Sequence, residues 1–153
     1  MNLLFIGDVV AEPGLRAIAS RLASLRRQYQ PDIIIANAEN IADGAGITKQ
    51  TARALLNLGV DVLTNGNHAW DKKEALDYIL TEPRLLRPHN YPDGTPGTGW
   101  FVANANGRKV GILNLMGNVF MQPQLACHFA AWIVCSRKNQ KTSKWCWWTC
   151  TRK

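Results

Sequence analysis

Three short apolar runs, each stopping at residues able to hold a ligand, constrain this chain more than any other feature. Leu3–Ile6 ends in Gly7-Asp8, Ile33–Ala36 leads into Asn37-Ala38-Glu39-Asn40, and Val60–Leu63 ends in Thr64-Asn65-Gly66-Asn67-His68. Unbroken apolar runs of this length, bounded by turn residues, read as strands buried on both faces. Between them lie stretches with helical spacing. Leu15–Tyr29 places Leu15, Ile18, Ala19, Leu22 and Leu25 on one face after a break at Pro13-Gly14. A second helix is capped by Thr48 and runs to about Asn57, with Gly59 as its stop. Asp71–Leu80 reads as a third helix, and Arg84–Gly99, rich in Pro and Gly, as a long loop. Trp100–Ala103 and Val110–Leu115 read as a hairpin around Asn106-Gly107.

Strands alternating with helices predict βαβ units and a largely parallel sheet, in which ligands bind beyond the carboxyl ends of the strands. Asp8, Glu39-Asn40 and Asn67-His68 all fall at such ends, so one site is expected there. Carboxylate, carboxamide oxygen and imidazole are hard-to-borderline ligands that suit Fe, Mn or Zn. Two such ions can activate water and clamp a phosphate, and a neighbouring histidine can protonate the leaving oxygen. Taken singly, these residues have plainer readings. Asp8 could cap a helix, Glu39-Asn40 could be turn residues, and Asn67-His68 could be a turn with a satisfied histidine. Their order after three buried strands favours the site.

The stretches GDVV (7–10), ANAEN (36–40), GNHAWD (66–71), EPRLLRPHNYPDGTPG (82–97) and NLMGNVFM (114–121), in this order and spacing, resemble the YmdB-like metallophosphoesterases of the calcineurin-like superfamily. The resemblance runs from Met1 to about Cys127. It implies a layered α/β, calcineurin-like αββα fold, incomplete in this chain, and two divalent metal ions. It also implies that Asp8 binds one metal, Glu39 bridges both, Asn40 supports the first, Asn67 binds the second and His68 is the proton donor. The implied reaction is hydrolysis of cyclic nucleotides, notably 2′,3′-cyclic ones. Asp8-Val9-Val10 stands where the wider superfamily has Asp-x-His, which agrees with this subfamily. The family draws further histidines from its second half, and neither His89 nor His128 stands in the expected motif.

Composition breaks near Ala126–Cys127. Residues 1–126 carry 12 Lys+Arg and 11 Asp+Glu, whereas residues 127–153 carry 6 basic residues and no acidic one. All 4 Cys and 4 of the 6 Trp also lie after the break. Six of the seven net positive charges therefore belong to the tail, and specific nucleic-acid binding is not expected. The tail cysteines do not repeat a CxxC unit, which argues against a zinc site. Trp has one codon and Cys two, so Lys144–Thr151 nearly fixes its own DNA. Read from the last base of each codon, it encodes Val or Met, then Val, Leu, Val, Asp, an apolar residue and His or Tyr. That is a buried strand ending in Asp-x-His, the next metal-bearing strand that the resemblance implies. The same shift over His128–Val134 gives a Phe-Arg-x-x-Asp-like helix start. The expectation is an out-of-frame tail over residues 127–153, on a chain impaired as an enzyme.

Outside the site, Arg84 and Arg87 are expected in an internal salt bridge or a solvated face, with phosphate steering as the alternative. His89 is expected to be structural, with a place at the site rim as the alternative. The Asp43–Gly46 loop is expected to be flexible near the site rather than a phosphate cradle. No apolar run approaches a membrane span, and the first strand lacks the basic flank and cleavage site of a signal peptide. A cytoplasmic chain with no membrane partner is expected. A small phosphodiester or cyclic-nucleotide substrate is its expected partner, and a homo-oligomer is open for the full-length family.

Overall fold

A computed structural model of the chain describes residues 1–119, 123–139 and 145–151, the last of these as backbone only. Its first sheet is parallel, with strands β1 (Leu3–Ile6), β2 (Ile33–Asn37), β3 (Val62–Thr64) and β4 (Leu85–Leu86) in sequential order. The crossovers are α1 (Ala11–Tyr29), α2 (Lys49–Asn57) and α3 (Lys73–Thr81). A second sheet holds β5 (Trp100–Ala105), β6 (Arg108–Met116) and β7 (Trp145–Thr151), with β5 antiparallel and β7 parallel to β6. Helix α4 (His128–Asn139) follows β6 in the chain and precedes β7.

Side-chain alternation along the strands builds the layers. Ile34, Ala36, Leu63 and Leu85 meet Ile18 and Leu22 of α1, Ala52 and Leu55 of α2, and Ala75 and Ile79 of α3. The opposite face of the same strands, Ile33, Ile35, Val62 and Leu86, packs on Ala103, Ala105, Val110 and Ile112 of the second sheet. On β6 the alternate residues Leu113 and Leu115 then pack against Cys135 of α4. The result is helices, sheet, sheet and helix: the αββα layering that the resemblance implies. Both faces of β2 are covered, which is why its five residues are all buried.

Local chemistry explains the element ends. Thr48 caps α2 as expected: its hydroxyl accepts from Thr51 N–H at 3.1 Å, and Thr51 Oγ1 accepts from Thr48 N–H at 3.0 Å. Such a reciprocal cap contributes about 1 kcal/mol. Gly59, at φ +98°, ends the α2 turn and leaves room for the Arg26 guanidinium, which donates to its carbonyl. Helix α1 begins at Ala11, ahead of the expected start at Leu15. Pro13 sits in its first turn, where the missing N–H has no intrahelical acceptor in any case. Strand β4 lies within the expected loop; two residues are too few to show a period. Asn106 (φ 51°) and Gly107 (φ 80°) form the expected two-residue hairpin turn, whose backbone twist matches the strands. Among the described residues no helix is long and apolar enough to cross a membrane.

Candidate metal centre

The carboxyl ends of β1, β2 and β3 lie side by side, and sheet-like hydrogen bonds continue into the loops beyond them. Val9 N–H donates to Asn37 O (2.9 Å), Ala11 N–H to Asn40 O (3.0 Å), Ala38 N–H to Thr64 O (2.9 Å) and Asn65 N–H to Leu86 O (2.9 Å). These bonds tie the loops to one another as the ladder ties the strands, and they bring the predicted residues into one neighbourhood. Asp8 follows β1 at φ 34°, a left-handed conformation uncommon outside glycine. Its Oδ1 accepts from Asn40 Nδ2 at 2.7 Å, leaving Asp8 Oδ2 and Asn40 Oδ1 available as ligands.

Glu39 is 5% exposed. Its Oε1 accepts from Asn37 Nδ2 at 3.3 Å, and its Oε2 has no hydrogen-bond partner of good geometry. Burial pushes the Glu39 carboxyl up from the ordinary glutamate value, with Asp8 adding to the rise; Asn37 and the approach of the His68 backbone N–H offset part of it. Asn67 Oδ1 is likewise buried without a partner. Gly66 lies directly over the Glu39 carboxylate: a β-carbon there would stand 2.8 Å from Glu39 Cδ. Only glycine lets the β3 loop come this close, which puts Asn67 and His68 beside Glu39. His68 Nδ1 is 2.6 Å from Asp71 Oδ2.

This donor set fits divalent metal ions. Leaving buried oxygens unpaired costs about 1–3 kcal/mol each, and a cation between them would satisfy both. The donors are carboxylates and carboxamides: among the described residues no three His, Cys, Asp or Glu side chains converge on one point.

Other neighbours are structural. Arg84 makes a two-pronged ion pair with Glu82 at 2.8 and 2.7 Å, the internal bridge expected. Arg87 is 9% exposed and donates to the carbonyls of Pro96 (3.2 Å) and Pro88 (2.8 Å). His89 donates its backbone N–H to Asn114 O at 2.7 Å, and burial pushes its imidazole down. The 43–46 loop is exposed at its tip, yet Gly46 is buried and donates its N–H to Glu39 O at 2.6 Å, so its base is anchored. Trp70 and Tyr91 stand edge to face, with ring centroids 5.9 Å apart. Burial pushes the Tyr91 hydroxyl up; Trp70 opposes this, while Glu39 and Asp71 add to it.

Gly66, Asp71 and Asn114 also shape this neighbourhood, and none of them is among the residues expected from the sequence. Asn114 Nδ2 donates to Asn65 O (2.7 Å) and Leu86 O (3.0 Å), tying β6 to the end of β3. Gly66 and Asp71 stand inside the GNHAWD stretch, so a signal for them was present.

A family model described as YmdB-like protein matches residues 4–146. The chain is 44% identical over 123 residues to the 2′,3′-cyclic-nucleotide 2′-phosphodiesterase of Bacillus subtilis, an alignment covering 80% of this chain and 47% of that protein. Among solved structures, a hypothetical protein from Thermus thermophilus superposes with a TM-score of 0.88 at 39% identity, over 98% of this chain and 57% of that one. A novel phosphatase from Mycoplasma pneumoniae superposes with a TM-score of 0.83 at 29% identity, over 98% and 55%. The chain thus spans about half the length of the relatives it matches.

Proposed function

Because this chain belongs to the YmdB-like protein family, we propose that it carries one half of a dinuclear phosphodiesterase centre acting on 2′,3′-cyclic nucleotides. The observation that carries this reading is the convergence of Asp8, Glu39, Asn40, Asn67 and His68 at three adjacent strand ends, with Glu39 Oε2 and Asn67 Oδ1 buried and unpartnered. The substrate class is supported by the name of the Bacillus relative.

In this reading Asp8 and Asn40 would hold one divalent ion and Asn67 the other, with Glu39 serving both. Fe, Mn or Zn suits these ligands. When bound, such a pair supplies Lewis acidity and an activated water. As the water oxygen bonds to phosphorus, the bond from phosphorus to a ribose oxygen breaks, and His68 delivers the proton that oxygen needs. Asn40 holds Asp8 in position, Gly66 brings the His68 loop over Glu39, and the continued backbone ladder keeps the loops from moving apart.

The test is Mn²⁺ titration coupled to an assay of 2′,3′-cyclic AMP hydrolysis. The reading predicts saturable metal binding and weak, metal-dependent turnover, with His68→Ala keeping the binding and losing the turnover. Hydrolysis that survives H68A, or that needs no metal, contradicts it. A second reading, a noncatalytic metal- or nucleotide-binding fragment, is favoured by the absence of any three-residue His/Cys/Asp/Glu cluster among the described residues. Saturable binding without turnover would establish that reading.

The segment after Ala126 is read as out of frame. Helix α4 leaves Phe129, Trp132, Ile133 and Val134 exposed, at 60, 40, 41 and 66%, although a helix on the outside of a sandwich ordinarily turns polar residues outward. This supports an outer helix built from codons selected in another frame. A DNA read across codons 120–153 decides the matter. One missing base that opens a frame carrying Asp-x-His supports the reading; stop codons in that frame sink it.

A further inference from the structure

The outer helical layer holds a cleft that the proposed chemistry does not use. Lys49, Arg53 and Asn57 follow one another at four-residue spacing and so lie along one face of α2. Together with Tyr78, Glu82 and Arg84, from the end of α3 and the turn after it, they line a cleft with a volume of about 570 Å³. Sites for small molecules measure roughly 300–1,000 Å³. None of these residues belongs to the candidate metal centre.

The charge of the cleft is unbalanced. Three cationic side chains share it with one carboxylate, and that carboxylate is already engaged. Glu82 Oε1 and Oε2 accept from Arg84 Nε and Nη2 at 2.8 and 2.7 Å, and the Tyr78 hydroxyl stands 3.5 Å from Oε2. The two-pronged pair fixes the plane of the Arg84 guanidinium and leaves its Nη1 out. The Arg84 backbone is fixed too, since its carbonyl accepts from Leu63 N–H of β3 at 2.8 Å. Among the described residues Lys49 and Arg53 make no ion pair. Both are exposed, and on a convex surface they would be an ordinary solvated face. Here they share a concave site with a third, preorganised cation, and a cleft lined by one sign of charge concentrates counter-ions.

We propose that the α2–α3 cleft binds a small phosphate dianion, free or carried as a monoester, with Arg84 as its preorganised donor and Lys49 and Arg53 as its flexible ones. Three cations less the Glu82 carboxylate leave two positive charges, which match the roughly two negative charges of a phosphate monoester near neutral pH. A lone carboxylate ligand would leave one of them unmatched. Asn57 adds an amide able to hydrogen-bond the group that carries the phosphate. The proposal is independent of the metal centre and of the hydrolysis.

The test is a titration of the whole ¹⁵N-labelled chain, metal-free, with inorganic phosphate and separately with adenosine 5′-monophosphate, followed by ¹H–¹⁵N spectra. Ionic strength is held constant, so that the general attraction of a basic chain for anions does not change along the titration. Saturable shifts are expected on the amides of residues 49–57 and 78–84, with a single dissociation constant. The double variant Lys49→Gln, Arg53→Gln should weaken phosphate at least roughly tenfold through lost charge-assisted hydrogen bonds. Both positions are exposed on α2, so the fold should survive. Arg21→Gln with Arg27→Gln removes the same charge from exposed positions of α1 and should leave the affinity unchanged. A monophosphate that binds no tighter than inorganic phosphate assigns the free anion to the cleft, and tighter binding assigns a carried phosphate. Equal weakening by the two double variants, shifts that do not saturate, or shifts confined to other parts of the chain overturn the proposal.

Discussion

Two buried polar groups flank the carboxyl end of the first sheet, and they close their hydrogen bonds in opposite ways. On the second-sheet side, Asn114 is 0% exposed and spends its amide on the carbonyls of Asn65 and Leu86. Asn90, nearby in the same seam, accepts from Met116 N–H at 3.0 Å and donates to Met116 O at 2.8 Å and Ala126 O at 2.9 Å. On the loop side, Glu39 Oε2 and Asn67 Oδ1 are buried without a hydrogen bond of good geometry, the His68 backbone N–H only approaching the Glu39 carboxylate. The first pair is a set of bolts between sheets, and the second is, in the proposed reading, a set of ligands. The fold supplies rigidity next to the place where it leaves polar groups unpaired, so the cost of the site is carried by a frame that does not give way.

That contrast can be broken at several points. The largest stability effect is expected at the bolts. Asn114→Ala strands the buried Asn65 carbonyl and leaves Leu86 O with Asn65 N–H alone, so it should destabilise the chain by about 1–3 kcal/mol, visible as a lowered denaturant midpoint. A near-neutral N114A would mean the seam is not held by this side chain. Glu39→Gln should move the other way, stabilising the metal-free chain by about 1 kcal/mol at neutral pH, because it removes a buried charge. The sign follows from the raised carboxyl. The native state binds the proton more tightly than the unfolded chain. Its stabilisation is therefore complete below the ordinary glutamate value and is lost as pH rises through the higher folded value. The E39Q advantage should accordingly vanish on acidification; an advantage that persists in acid would show that charge burial is not its source. Arg84→Ala removes a partly exposed ion pair and should cost less than about 1 kcal/mol in the same unfolding measurement. The smallest change is expected for His68→Ala, within about 0.5 kcal/mol, since among the described residues its ring hydrogen-bonds to the partly exposed Asp71 alone.

How much of this was legible in the sequence depends on distance along the chain. β1, β2 and β3 announce themselves as apolar runs, Thr48 as a cap, and Asn106-Gly107 as a hairpin turn, because each is decided by a few neighbouring residues. The placement of Asp8, Glu39, Asn40, Asn67 and His68 at neighbouring strand ends was legible for the same reason: each follows a readable strand. The facing of the two sheets was harder to see, because it rests on alternation in β2 meeting alternation in β6, far along the chain. Asn114 was hidden in the same way, since its partners Asn65 and Leu86 are 49 and 28 residues away. Gly66 looked like part of a turn until its contact with the Glu39 carboxylate gave it a reason. β4 was illegible because two residues carry no pattern.

The central claim is that Glu39 and Asn67 are unpartnered because they await a cation. The most direct measurement is calorimetric titration of Mn²⁺ into the wild-type chain, E39Q, N67A and H68A. The account predicts saturable binding to wild type and H68A, with the affinity lost in E39Q and weakened at least roughly tenfold in N67A, the lower bound for disturbing a metal site. Equal binding by E39Q and wild type would contradict it and return the two buried oxygens to the status of unexplained defects.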